Sequence, residues 1–257
     1  MTDSNAPVLA CREAGPADKP ALVLLHGFGG SGRHFDAVLD PLAAKSHVLL
    51  PDLPGHGQSF DVSGSRHPRA AAEAVLATMD ALDCKRFHLA GFSMGGAVAC
   101  LTALQAPDRV LSLTLLAPGG FGTEIAAATL REFAAAREPE AVRSALAKMM
   151  APGATPPEEA VAQVVAERAN DALVGELVAI ADMITRDGKQ GAIPRSMLAG
   201  IACPVRVVWG TADPVLPVSQ SNDLPPDFEL RLVEGAGHIL ADEARDAVLD
   251  ALAASPG

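Results

Sequence analysis

The chain predicts an α/β fold: a mostly parallel central sheet with helices on both faces, interrupted by an inserted helical lid. Short aliphatic runs alternate with longer helix-compatible stretches, the order expected when crossover helices join parallel strands. Most of these runs are apolar throughout, as strands covered on both faces should be. Across residues 120–200 the rhythm stops. Only Ala/Glu/Arg/Leu segments remain there, divided by Pro139, Pro152, Pro156, Pro157 and Pro194.

In order, residues 21–25, 47–50, 86–90, 111–116, 205–209 and 229–233 are the expected strands. Residues 33–44, 68–82, 94–106 and 240–254 are the expected helices. The expected division is a core of residues 1–119 and 201–257 with a lid of residues 120–200.

Composition narrows the function. The 257 residues are 49% hydrophobic and 20% charged, enough apolar side chain for a large interior. Eight Phe, one Trp and no Tyr offer few platforms for stacked bases, and a net charge of -11 repels phosphate backbones, so no nucleic-acid partner is expected. The start, Met1 to Pro7, has neither the basic residues nor the apolar run of a signal peptide, and no run approaches the length of a bilayer span. These features predict a cytoplasmic protein without membrane contact, a monomer or a homodimer. Cys11, Cys84, Cys100 and Cys203 are widely separated, with no paired spacing for a metal site or a disulfide framework.

Ligands bind an open parallel sheet at the carboxyl ends of its strands. Each expected strand end here carries chemistry: His26 to Ser31, Asp52 to Ser59, Gly91 to Gly95, Trp209 to Asp213 and Gly235 to His238. Gly91-Phe92-Ser93-Met94-Gly95 is a Gly-x-Ser-x-Gly pattern between a strand and a helix, where tight packing excludes side chains two residues before and two residues after the serine. Serine, then acid, then histidine follows in chain order.

Through these five segments the chain resembles the α/β-hydrolase superfamily over nearly its whole length. The resemblance implies Ser93 as nucleophile, His238 as base, Asp213 as orienting acid, and the backbone amides of Phe28 and Met94 as the oxyanion hole. Small serine esterases and haloperoxidase-like esterases share the Gly-Phe-Ser-Met-Gly-Gly elbow. The hydrolase-like domain of acetoin dehydrogenase acyltransferase subunits is similar also along Pro51 to Ser59 and Leu115 to Gly120. Serine needs a base because its hydroxyl is a weak nucleophile at neutral pH, and the acid fixes the histidine tautomer. Such chemistry implies no metal and no cofactor.

Other roles were open to several residues. His26 is expected to shape its loop, Asp52 to orient a turn, and Asp242 to begin a helix. Gly27-Phe28-Gly29-Gly30-Ser31-Gly32 also matches a dinucleotide-binding spacing, with Asp52 about twenty residues on. That reading leaves the elbow, Asp213 and His238 unexplained.

The expected function is therefore hydrolysis of a carboxylic ester or related acyl compound through an acyl-enzyme. Lid residues Leu130, Phe133, Met149, Met150, Leu177, Ile180 and Met183 are the pocket candidates, with Met149, Met150 and Met183 foremost for substrate binding. One alternative is a carbon-carbon hydrolase of ring-cleavage products. Those enzymes usually carry Asn where Phe92 stands, and a lid arginine, for which Arg186 or Arg195 could serve. A second alternative is a binding protein of the same fold without catalysis.

Overall fold

The aliphatic runs assemble into one seven-stranded sheet in the computed structural model, which describes residues 6–62, 64 and 67–253. Residues 1–5, part of the stretch read for a signal peptide, and 254, the expected end of the last helix, lie outside the described residues. The strands are β1 (Cys11–Ala14), β2 (Ala21–Leu25), β3 (His47–Pro51), β4 (Phe87–Phe92), β5 (Val110–Leu116), β6 (Val205–Gly210) and β7 (Phe228–Val233). Their spatial order is β1-β3-β2-β4-β5-β6-β7. Only β1 runs antiparallel, against β3; every other pairing is parallel.

The central strands are buried from end to end, whereas β7 at the edge alternates Phe228-Glu229-Leu230-Arg231 and is largely exposed. Sequence reading missed β1. Cys11-Arg12-Glu13-Ala14 has no apolar run, and its pairing comes from β3, more than thirty residues away in the register Cys11 to Pro51. A short edge strand with charged residues leaves little periodic signal.

Around the sheet lie α1 (Asp36–Ala43), α2 (Pro68–Ala81), α3 (Met94–Gln105) and, late in the chain, two short pieces where one helix was expected. Between β5 and β6 come five helices: α4 (Ala127–Ala135), α5 (Pro139–Ala147), α6 (Glu158–Glu167), α7 (Asp171–Ile184) and α8 (Arg195–Leu198). Three of the prolines that punctuated this region mark helix starts. Pro139 is the first residue of α5, and Pro157 and Pro194 immediately precede α6 and α8. Asn170 caps α7 by accepting from the Ala172 and Leu173 amides.

The final pair is α9 (Leu240–Glu243) and α10 (Arg245–Ala253). Helix α1 packs with α10 and α2 with α3, while α4 packs on α7 and α5 on α6 above the sheet's carboxyl edge. Trp209, Phe35 and Phe87 are among the largest fully buried side chains.

Strand order decides where a site can form. The chain leaves β2 for β3 on one side, then crosses back to β4 on the other, so loops from neighbouring strands diverge between β2 and β4. That divergence opens a crevice at the strand ends. The loop at His26 to Gly30 and the turn at Ser93 flank it. No helix among the described residues is long and apolar enough to cross a membrane.

Candidate active site

Ser93 stands between β4 and α3 with φ 52° and ψ -119°, a left-handed backbone that a non-glycine residue adopts only under constraint. Backbone hydrogen bonds hold it: the Ser93 amide donates to Leu116, and the Ser93 carbonyl accepts from Gly96, Ala97 and Gly119. The neighbouring glycines permit the turn. A methyl on Gly91 would overlap the Gly95 carbonyl, and one on Gly95 would overlap the carbonyls of Leu25 and His26.

From that turn the Ser93 hydroxyl lies 3.0 Å from His238 Nε2, and His238 Nδ1 lies 2.8 Å from Asp213 Oδ2. Three residues spread over 145 positions thus form one hydrogen-bonded row. Both partners of the His238–Asp213 contact are sequestered, with side-chain exposures of 4% for His238 and 0% for Asp213. A buried carboxylate needs its lone pairs filled. Asp213 meets that need: Oδ1 accepts from the Val215 and Leu216 amides, and Oδ2 accepts from the Trp209 indole at 3.2 Å as well as facing His238. The indole itself was not foreseen, although Trp209 opens the very segment that singled out Asp213.

The histidine loop is tied down by a residue that sequence reading passed over. Glu243 accepts from the amides of Gly237 and Ile239, which flank His238, and from Ala151 in the bend after α5, at 3.0, 3.1 and 2.7 Å. The His238 amide also donates to Met149. Acidic residues near 240 suggested only a helix start; the long-range role depends on the inserted helices lying close by, which no local signal reports.

The loop after β2 brings Phe28 into the cavity wall. Met94 is the first residue of α3, so its amide is among those a helix leaves without an internal partner, while its side chain packs toward the core. His26 accepts from the Leu53 amide through Nε2 and bonds the Gly27 carbonyl through Nδ1, locking the loop to the next strand end. Asp52 accepts from the Gly32 and Gln58 amides. Its carboxylate, which a dinucleotide site would aim at a ribose, is spent inside the protein.

Ser93 and His238 form part of the wall of a cavity of about 400 Å³. Leu130, Phe133, Leu146, Met149, Met150 and Ile239 make most of the remainder apolar. Met183 is not in that wall. It lies late on α7, whose buried face of Leu173, Leu177 and Ile180 packs within the inserted helices, so Leu177 and Ile180 are also set back from the cavity. Helix α7 packs against α4 instead.

The arginine candidates also need correction. Arg195 donates to the carbonyls of Phe121, Gln220 and Asn222 and Arg186 is exposed; neither lines the cavity. The buried arginine is Arg168, 2% exposed, stacked on Phe133 and donating from Nη2 to the Gly29 carbonyl. Its Nε and Nη1 have no partner, and burial lowers its pKa to about 10.

At the mouth stand Arg33, Asp36, Glu159, Glu167 and Asp242. Burial, reinforced by the charge on Glu243, raises the Asp242 pKa to about 6. Among the described residues no cluster of His, Cys, Asp and Glu is arranged to hold a metal ion.

A parallel sheet bearing a strained serine at a strand-to-helix turn, with a histidine and an acid from later strand ends, defines the α/β-hydrolase class. Residues 22–251 match the Alpha/beta hydrolase family, and the chain belongs to it. A dihydrolipoyllysine-residue acetyltransferase component of the acetoin cleaving system from Pseudomonas putida is 34% identical over 92% of this chain. The match spans 63% of that relative's length. A 2-hydroxy-6-oxo-6-phenylhexa-2,4-dienoate hydrolase from Burkholderia cepacia is 37% identical over 110 residues, 41% of this chain and 38% of that one. Among solved structures, a hydrolase from Pseudomonas aeruginosa superimposes with a TM-score of 0.74 at 28% identity, covering 96% of this chain and 93% of that one.

Proposed function

We propose that the chain is a serine hydrolase that cleaves a small neutral ester or related acyl compound through an acyl-enzyme. One observation carries this reading: the row Ser93, His238, Asp213, with hydrogen bonds of 3.0 and 2.8 Å. His238 takes the Ser93 proton at Nε2 as the hydroxyl oxygen attacks the carbonyl carbon. Asp213, held by four hydrogen bonds, keeps Nδ1 protonated and stabilises the imidazolium.

Negative charge then gathers on the carbonyl oxygen, where the amides of Phe28 and Met94 meet it; such a donor typically contributes about 3 kcal/mol. His238 passes its proton to the departing alcohol. Water repeats the sequence on the acyl-enzyme and frees Ser93.

Residues 120–200 act as the lid over this chemistry, with Met149 and Met150 contacting the acyl or alcohol chain. Acyl handling also fits the acetyltransferase named in the first relative, whose full length this chain does not span.

A fluorophosphonate probe tests the reading, because it bonds only an activated serine. Wild type becomes labelled and Ser93→Ala does not; turnover in Ser93→Ala falls by roughly 10⁴. Absence of labelling in wild type overturns the reading and favours a binding protein of this fold.

A second reading, a carbon-carbon hydrolase acting on a carboxylated ring-cleavage product, is favoured by Arg168. Its two unpartnered donors lie behind Phe133 and beside the Gly29 carbonyl, where movement of one ring would admit a carboxylate. Against it stand Phe92 beside the serine and the acidic cavity mouth. Turnover of a ring-cleavage product exceeding that of simple esters would decide for it.

A further inference from the structure

One imidazole in the cavity wall takes no part in the steps above. His34 lies in the 3-10 turn Gly32–Phe35, just after the glycine-rich loop. Its ring lies flat on Phe92, with centroids 4.4 Å apart and planes 5° apart. Phe92 lies 4.9 Å from the His238 ring, so a single phenyl group separates the two imidazoles. Phe35 meets the His34 ring edge-on at 5.2 Å.

These contacts hold the ring without using its nitrogens. Among the described residues neither His34 ring nitrogen has a hydrogen-bond partner, and the ring is part of the cavity surface. Burial, followed by the nearby His26 and His238, lowers its pKa to about 3. The ring is therefore neutral in ordinary buffers and offers one N–H donor and one acceptor.

We propose that His34 is a specificity residue whose ring hydrogen-bonds a hydroxyl or carbonyl group that the ester substrate carries near the scissile bond. The inference deepens the serine-hydrolase reading and rests on it. A neutral imidazole matches a neutral oxygen group, since it supplies direction without charge. The lining points the same way: Asp36 is paired with Arg12, and Glu159, Glu167 and Asp242 still outnumber Arg33, a balance that disfavours anionic substrates. A purely hydrocarbon ester would leave the imidazole desolvated and unpaired, which is the situation a polar wall penalises.

Two pairs of neutral esters of equal size locate the bond. Propyl butyrate against 2-hydroxyethyl butyrate differs only in the alcohol half, and methyl 3-methylbutyrate against methyl 3-hydroxybutyrate only in the acyl half. Hydrolysis is followed by titration of the acid released, in wild type, His34→Phe and His34→Gln. Phe keeps a stack on Phe92, while Gln keeps a neutral donor and acceptor.

In at least one pair, the preference for the hydroxylated ester, read as a ratio of kcat/KM, falls about tenfold in His34→Phe, chiefly through KM, and partly returns in His34→Gln. Ratios that agree within about twofold between wild type and both variants, in both pairs, overturn the proposal while leaving the serine-hydrolase reading standing. Failure of wild type to hydrolyse any of the four overturns the proposal, and the serine-hydrolase reading with it when the fluorophosphonate probe also leaves wild type unlabelled.

Discussion

Replacing Glu243 by Ala tests whether the histidine loop is held from outside. The carboxylate accepts three amide donors, from Ala151, Gly237 and Ile239, at 2.7, 3.0 and 3.1 Å. A buried hydrogen bond to a charged acceptor contributes about 1.5–3 kcal/mol. Glu243 is only half-buried, so water replaces part of the loss, and about 1 kcal/mol per bond is the appropriate figure. The sum is about 3 kcal/mol. For a domain of this size that lowers the melting temperature by roughly 6–12 °C.

Activity should suffer separately from stability. Gly237 and Ile239 flank His238, and a displacement of about 1 Å at a reacting group costs on the order of a hundredfold in rate. We expect kcat for a short-chain ester to fall at least about tenfold at a temperature where the variant is fully folded. Glu243→Gln keeps one carbonyl oxygen for Ala151 and Gly237 but turns an amide group toward Ile239, so its losses should be intermediate. Thermal unfolding and steady-state hydrolysis, measured on the same preparations, separate the two effects. A melting temperature within about 2 °C of wild type would refute the stability reasoning, and an undiminished kcat would refute the link between Glu243 and His238.

Two further perturbations address the frame around the site. Gly95→Ala places a methyl group on the Leu25 and His26 carbonyls and should lower stability by more than about 3 kcal/mol, whereas Gly175→Ala, on an exposed turn of α7 with open space, should raise it by about 0.5–1 kcal/mol. Opposite signs in denaturant unfolding are the expected result; equal small effects would contradict the crowding at the elbow. His56 is fully buried with Nε2 unpartnered, and burial, then His26, lowers its pKa from 6.5 to about 3. The unfolded chain therefore binds a proton there first as pH falls, so this group's contribution to stability is complete above about pH 6.5 and declines by about 1.4 kcal/mol per unit between pH 6.5 and 3. His56→Gln should flatten the acid side of the stability profile by that slope, and an unchanged slope would show that other groups carry it.

Much of this molecule is legible in its sequence for identifiable reasons. Ala21-Leu22-Val23-Leu24-Leu25 is apolar at every position because β2 is paired on both sides and covered above and below. Ser93, Asp213 and His238 stood out because each follows such a strand, and strand ends converge on one edge of a parallel sheet. What escaped detection depends on geometry that the sequence does not encode locally. Whether a methionine between β5 and β6 faces the cavity, as Met149 does in the turn after α5, or stands away from it, as Met183 does on α7, depends on how those segments pack against their neighbours. Arg168 was hidden for the same reason: in an Ala/Glu-rich helix it reads as a surface residue, and only the fold puts Phe133 against its guanidinium.

That contrast locates where substrate preference can change. Ser93, His26 and the glycines of the elbow are fixed by backbone contacts within the sheet, where one added methyl overlaps a carbonyl. The cavity wall opposite comes from α4 to α6, which touch the reacting row mainly through the Met149 carbonyl and the Glu243 carboxylate. Substitutions at Leu130, Leu146 or Met150 can therefore reshape the cavity without moving Ser93. His34 lies on the other side of that divide, stacked on Phe92 next to Ser93, and so belongs to the rigid part of the site. A polar subsite anchored there would stay in register with the scissile bond whatever the inserted helices admit.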